Sequence, residues 1–254
     1  MNFLMLAKNK SLCMSMLLAG MLAACAPGIP PQMPAEITHA PAGFPEAHYL
    51  QAKALGKKIL RVDSANSLVV IEVRRAGTFA RLGHDHIVAS HHVSGYVSAE
   101  EGMADFYVPL EQLVVDEPRL RTEAGFDTQP SPEAIEGTRH NMLKQTLDAE
   151  HFPYALIHAT WADANRRTLN VSITLHGVTR SFEVPVQMET VRDGIAVDGK
   201  MLLNQTDFGI APLSVLGGAI QVQDKLDLRF HIVAQGNWSG GRVRDSVLNK
   251  GRSP

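Results

Sequence analysis

Histidines whose spacing could do chemistry are concentrated in one segment, where His84 and His86 flank Asp85 and His91 and His92 follow shortly after. In an extended chain successive side chains alternate, so His84 and His86 project to one side and Asp85 to the other. With a third ligand such a pair chelates zinc or copper. Only one of His91 and His92 shares its face, and the spacing fixes no third ligand. The same pair also suits a polar clamp on a ligand head group, or loop histidines with local hydrogen bonds. Other chemistries find less support. There is no Gly-x-Ser-x-Gly, and Asp207-Phe208-Gly209 has the letters of a kinase magnesium motif without a glycine-rich loop or catalytic-loop partner, so it reads as a turn. His176 reads as a turn residue beside Gly177. No catalytic residue is assigned, and the expectation is a protein that is not an enzyme.

Cys25 carries a different chemistry. Lys8 and Lys10 form a short basic region, and Leu12 to Ala24 is almost wholly apolar but too short to span a bilayer. The segment ends Leu22-Ala23-Ala24-Cys25, which resembles the lipobox of bacterial lipoproteins. The resemblance implies that residues 1–24 are a signal peptide and that Cys25 is acylated and becomes the first residue of the mature chain. Several acyl chains hold a domain almost permanently, where one binds only marginally. Cys13 fits no lipobox and leaves with the signal, so the mature chain has no disulfide. Ala26 stands where an Asp would retain an enteric lipoprotein in the inner membrane. The expected location is therefore the periplasmic face of the envelope, with the outer membrane favoured.

Residues 1–24 hold two lysines and no acid. Subtracting them from 24 basic and 26 acidic residues leaves 22 against 26, a net charge of −4, which attracts no nucleic acid. Residues 25–58 begin with the lipidated cysteine and carry Pro27, Pro30, Pro31, Pro34, Pro41 and Pro45 among small residues. They read as an extended, poorly packed spacer. Residues 236–254, with Gly236, Ser239, Gly240 and Gly241, read as a flexible tail.

Between these ends, residues 59–235 alternate with period two. Leu169, Val171, Ile173 and Leu175 alternate with polar residues, and Phe182, Val184, Val186 and Met188 do so after a hairpin near His176 to Thr179. Further strands are expected over Leu68 to Arg74, His86 to Val97, Met103 to Leu110, Tyr154 to Trp161, Ile195 to Leu203 and Leu226 to Val233. One helix interrupts them, capped by Ser131 and Pro132 and running from Glu133 to about Leu147, with His140, Leu143 and Leu147 inward. Successive strands without intervening helices predict an all-β fold with one helical insert, an eight-stranded antiparallel barrel.

Motifs in order along this barrel are Val62-Asp63-Ser64-Ala65-Asn66-Ser67, Val93-Ser94-Gly95-Tyr96, Arg139-His140-Asn141-Met142-Leu143 and Asp148-Ala149-Glu150-His151-Phe152-Pro153. Leu175-His176-Gly177-Val178-Thr179-Arg180, Thr206-Asp207-Phe208-Gly209-Ile210 and Leu226-Asp227-Leu228 follow. Together they resemble the YceI-like, lipocalin-like family of polyisoprenoid-binding proteins over about residues 59 to 235. The resemblance implies a lipocalin-like barrel with a hydrophobic tunnel for an isoprenoid tail. One departure is the run Leu82-Gly83-His84-Asp85-His86, where the family usually has a single histidine near a lysine-containing loop. On this reading Val69, Ile71, Phe106, Val108, Leu143, Phe182, Val184, Leu228 and Phe230 line the tunnel; in an ordinary small barrel the same residues simply fill the interior.

Three functions follow. The first is a membrane-tethered protein that sequesters or carries an amphiphile with an isoprenoid-like tail. It requires no cofactor, takes an isoprenoid lipid or quinone-like molecule, and is compatible with a homodimer. The second is a metal-binding protein or metal-dependent enzyme built on His84, His86, His91 and His92. The third is an interaction module that binds envelope partners.

Overall fold

The period-two segments form strands in the computed structural model, which describes residues 40–238. The strands are β1 (Ile59–Val62), β2 (Leu68–Val73), β3 (Arg75–Ala76), β4 (His86–Ser90), β5 (Ser94–Ser98), β6 (Met103–Pro109), β7 (Val114–Val115), β8 (Tyr154–Trp161), β9 (Thr168–Leu175), β10 (Val178–Val191), β11 (Gly194–Asn204), β12 (Ser214–Val215), β13 (Ile220–Val222) and β14 (Lys225–Gln235). Pairing is antiparallel throughout, in the order β1-β5-β6-β8-β9-β10-β11-β14, and β14 pairs back onto β1 through Arg61 with Gln235 and Val62 with Ala234. Closure removes the open edges that an isolated sheet would expose. β2 continues the wall begun by β1, pairing with β14 on one side and β4 on the other, so the barrel has eight walls as predicted.

The expected strand from His86 to Val97 is two strands. The chain leaves the sheet at residues 91 to 93, where Val93 turns into the core and is fully buried. The hairpin between β9 and β10 turns on two residues, His176 and Gly177, with φ of +52° and +74°. Positive φ at both positions is the geometry whose twist matches two right-twisted strands. The Phe152 ring packs against the turn, 4.8 Å from the His176 ring.

Among the described residues three α-helices lie outside the sheet: α1 (Glu46–Ala54), α2 (Pro118–Glu123) and α3 (Pro132–Asn141). Ser131 caps α3, its hydroxyl accepting from the Ala134 amide, and the helix widens into a π turn over Met142–Thr146. Leu143 is buried and Leu147 partly so, but His140 is exposed. The inward side is completed by Ile135 and Met142 instead, because the π turn shifts the apolar face away from His140.

The spacer reading needs correction over α1. Tyr49 and Ala52 are buried against Ile59 and Tyr96 on the outer face of the barrel, so the second half of residues 25–58 is packed helix. An aromatic layer explains this: Tyr49 stacks on Tyr96 at 5.4 Å, and Trp238 packs on Tyr96 while Lys53 sits over its ring at 3.3 Å. Residues 236–238 are likewise docked, not loose. Cys25, the signal segment and residues 239–254 lie outside the described residues. Among the described residues no helix is long and apolar enough to cross a membrane.

Candidate functional site

The barrel interior is hollow. A cavity of about 650 Å³ runs through it, lined by residues near both ends, from Trp161 and Thr190 at one to His84 and Ile220 at the other. This volume lies within the range of small-molecule sites. Its wall is mainly aliphatic because each strand's inward set is apolar, as with Ile195, Val197, Met201 and Leu203 on β11 facing Leu226, Leu228, Phe230 and Ile232 on β14.

Of the residues expected to line a tunnel, Val69, Ile71, Phe106, Val108, Leu228 and Phe230 do so. Leu143, Phe182 and Val184 do not; they are packed in the core behind the lining. The turn Gln205–Phe208 packs against β10, and Phe208 meets Phe182 at 6.3 Å between rings, so Phe208 faces the cavity where Phe182 was expected. Leu143 is screened similarly, by Met142 and Leu147 of its own turn. Sequence reading missed Met142, Ala159, Trp161 and Met201 as lining. Met201 and Ala159 were legible from alternation, but which apolar residue of a turn reaches the cavity depends on tertiary packing.

The four histidines do not gather. His84 and His86 both line the cavity, with ring centroids 6.2 Å apart. His91 is directed to Glu117, with Nε2 2.7 Å from a carboxylate oxygen, and His92 is exposed. β4 ends at Ser90, so both leave the wall that carries His86. Among the described residues no three His, Cys, Asp or Glu side chains lie together as a metal site, which removes the four-histidine cluster as a metal centre.

Behind His86 lies a buried polar chain that sequence reading did not anticipate. His86 Nδ1 is 2.6 Å from Asp116 Oδ2, and the other oxygen of Asp116 accepts from the Ile87 amide at 2.9 Å and from Arg121 at 2.5 Å. Arg121 is 1% exposed and also donates to the carbonyls of Asp85 and Thr128. Burial alone would raise the Asp116 carboxyl, yet the hydrogen bonds from His86, Ile87 and Arg121 prevail and hold it below the ordinary carboxylate value. Asp116 is therefore ionised at neutral pH. Nothing in the local sequence marks this pair, because Asp116 sits at the end of two-residue β7 and Arg121 in the short helix α2.

The same end of the barrel carries exposed apolar side chains. Phe79, Leu82, Val215 and Leu216 are all at least 47% exposed, on segments joined through β3, β12 and β13, and Val215 also lines the cavity.

The YceI-like domain family matches residues 61–234. No curated protein matches the chain. Among solved structures, the chain is similar to a polyisoprenoid binding domain from Saccharophagus degradans implicated in plant cell wall breakdown. That likeness has a TM-score of 0.51 at 11% identity and covers 71% of this chain and 99% of that one. It is also similar to BcnA of Burkholderia cenocepacia, with a TM-score of 0.50 at 17% identity, covering 68% of this chain and 99% of that one. At these identities the likeness carries the fold alone, which agrees with the closed barrel. Matched over most of its length, the chain belongs to the YceI-like domain family.

Proposed function

We propose that this protein is a non-enzymatic binding protein that holds an amphiphile with an isoprenoid-like tail inside its barrel. The cavity carries the proposal: about 650 Å³ of mostly aliphatic space inside a barrel of this family. Burial supplies affinity at about 0.8 kcal/mol per methylene removed from water, so a long apolar tail needs few polar contacts. The Saccharophagus neighbour, itself a polyisoprenoid binding domain, supports the choice of tail. We further propose that Cys25 tethers the barrel to the periplasmic face of an envelope membrane, the outer membrane by the residue at 26. The lipobox-like sequence supports this, and a tethered barrel stays beside the membrane that supplies its ligand.

Trp161 lines the cavity, whereas Trp238 packs on Tyr96 away from it, so ligand entry is expected to be read at Trp161. Titration with geranylgeraniol is expected to change Trp161 fluorescence saturably, and Ala155→Phe and Ala159→Phe, which fill the cavity from β8, are expected to abolish the change. A wild-type protein that gives no saturable change, or filled variants that respond as wild type does, would overturn the proposal.

A further inference from the structure

His84 and His86 meet at the cavity wall with their rings at 71°. Each has one nitrogen whose state is set by its surroundings. An ionised carboxylate only accepts, so in the neutral ring the His86 hydrogen lies on Nδ1, facing Asp116, and Nε2 carries the lone pair. His84 Nδ1 is buried without a partner. A buried unpaired N–H costs more than a buried unpaired lone pair, so in the neutral ring the His84 hydrogen resides on Nε2. The nitrogens left for a ligand are therefore one acceptor, on His86, and one donor, on His84.

The two arginines nearest the pair are already engaged. Arg121 is held by Asp116. Arg75 donates to the Gly83 carbonyl and to Asp127, and its Nε lies 3.6 Å from Asp85. An anionic head group would meet the His86 lone pair, and neither of these guanidiniums is free to answer it.

We infer that His84 and His86 form a head-group site for a neutral hydroxyl, such as that of an isoprenoid alcohol or a prenylated phenol. The ligand O–H donates to His86 Nε2 while its oxygen accepts from His84 Nε2–H. This rests on the barrel reading above and deepens it. An ether or ketone has no hydrogen to give and leaves the His86 lone pair unpaired. Asp116 and Arg121 are positioning residues: they fix which nitrogen of His86 carries its hydrogen.

The test compares geranylgeraniol, its methyl ether and its phosphate monoester by Trp161 fluorescence on the full chain. Leaving one buried acceptor unpaired is worth about 1–3 kcal/mol, so the alcohol is expected to bind about tenfold tighter than the ether. His86→Phe is expected to abolish the alcohol's preference, because the ether no longer leaves an acceptor unpaired while the alcohol O–H loses its partner. Asp116→Asn offers an amide hydrogen to His86 Nδ1, moves the imidazole hydrogen to Nε2, and is expected to shift the preference towards the ether, which a merely structural residue would not do. Equal binding of alcohol and ether by the wild-type protein would overturn the head-group site and leave the barrel reading intact. A phosphate ester that binds tighter than the alcohol would also overturn it, and would direct attention to Lys58 and Arg166 among the cavity's other lining residues. Failure to bind any of the three would overturn the barrel reading itself.

Discussion

The ring of Phe230 on β14 lies across Gly199, its cross-strand partner on β11, so closely that a Cβ at position 199 would stand 2.3 Å from the ring. A glycine inside a strand ordinarily weakens it, and here the aromatic ring covers the gap. The pair sits where the two main core clusters meet, since Phe230 packs against both. Gly199→Val is expected to destabilise the fold by about 1–3 kcal/mol through overcrowding. Phe230→Ala is expected to cost about 3–5 kcal/mol as a large-to-small change. Urea unfolding of the double variant should show a loss smaller than the sum, because valine occupies part of the space the ring vacates.

Asp116 makes part of the stability depend on acid. Its folded pKa lies below the ordinary carboxylate value near 3.9, so its contribution is present above about pH 4 and is lost as pH falls through the folded value. Asp116→Ala leaves Arg121 buried without its carboxylate and is expected to cost about 3–5 kcal/mol at pH 7. Urea unfolding at pH 7, 4 and 3 checks both statements. The gap between wild type and variant should narrow at the lowest pH.

Helix α1 is expected to undock before the barrel opens. The Tyr49 phenol is fully buried and donates to Asp105 Oδ2 at 2.6 Å, and burial followed by that carboxylate pushes its ionisation far above the ordinary tyrosine value. Tyr49→Phe removes the donor and is expected to cost about 1.5–3 kcal/mol, the usual range for a hydrogen bond to a charged group. Hydrogen exchange should show faster amide exchange across Glu46–Ala54, with strands β8 to β11 unchanged.

The proposed tether is tested by Cys25→Ala in the cells that make the protein. On that proposal the variant is expected to lose palmitate labelling and to move from the membrane fraction to the soluble fraction, because the acyl chains that would anchor it are then missing. Unchanged fractionation would remove Cys25 as the anchor.

The barrel was legible because alternation is a property of single strands. Val171, Ile173, Val184 and Val186 announce an inward face whatever lies opposite. The breaks were not legible. Residues 91–93 leave the sheet because Val93 has a cavity-side core to enter, and α1 is held by aromatic contacts to Tyr96 and Trp238 that are distant in sequence. The same limit applies to the site. His84 and His86 could be placed on one face by spacing, but their separation from His91 and the support from Asp116 depend on where β4 ends and how α2 packs. Alternation likewise places Phe182 inward without revealing that Phe208 would stand in front of it.

Native mass spectrometry of the full chain, purified gently from the cells that make it, looks for the ligand itself. One apolar-tailed molecule per chain is expected, lost in Ala155→Phe and Ala159→Phe. A wild-type barrel that is always empty and takes up no added isoprenoid alcohol would contradict the proposed function.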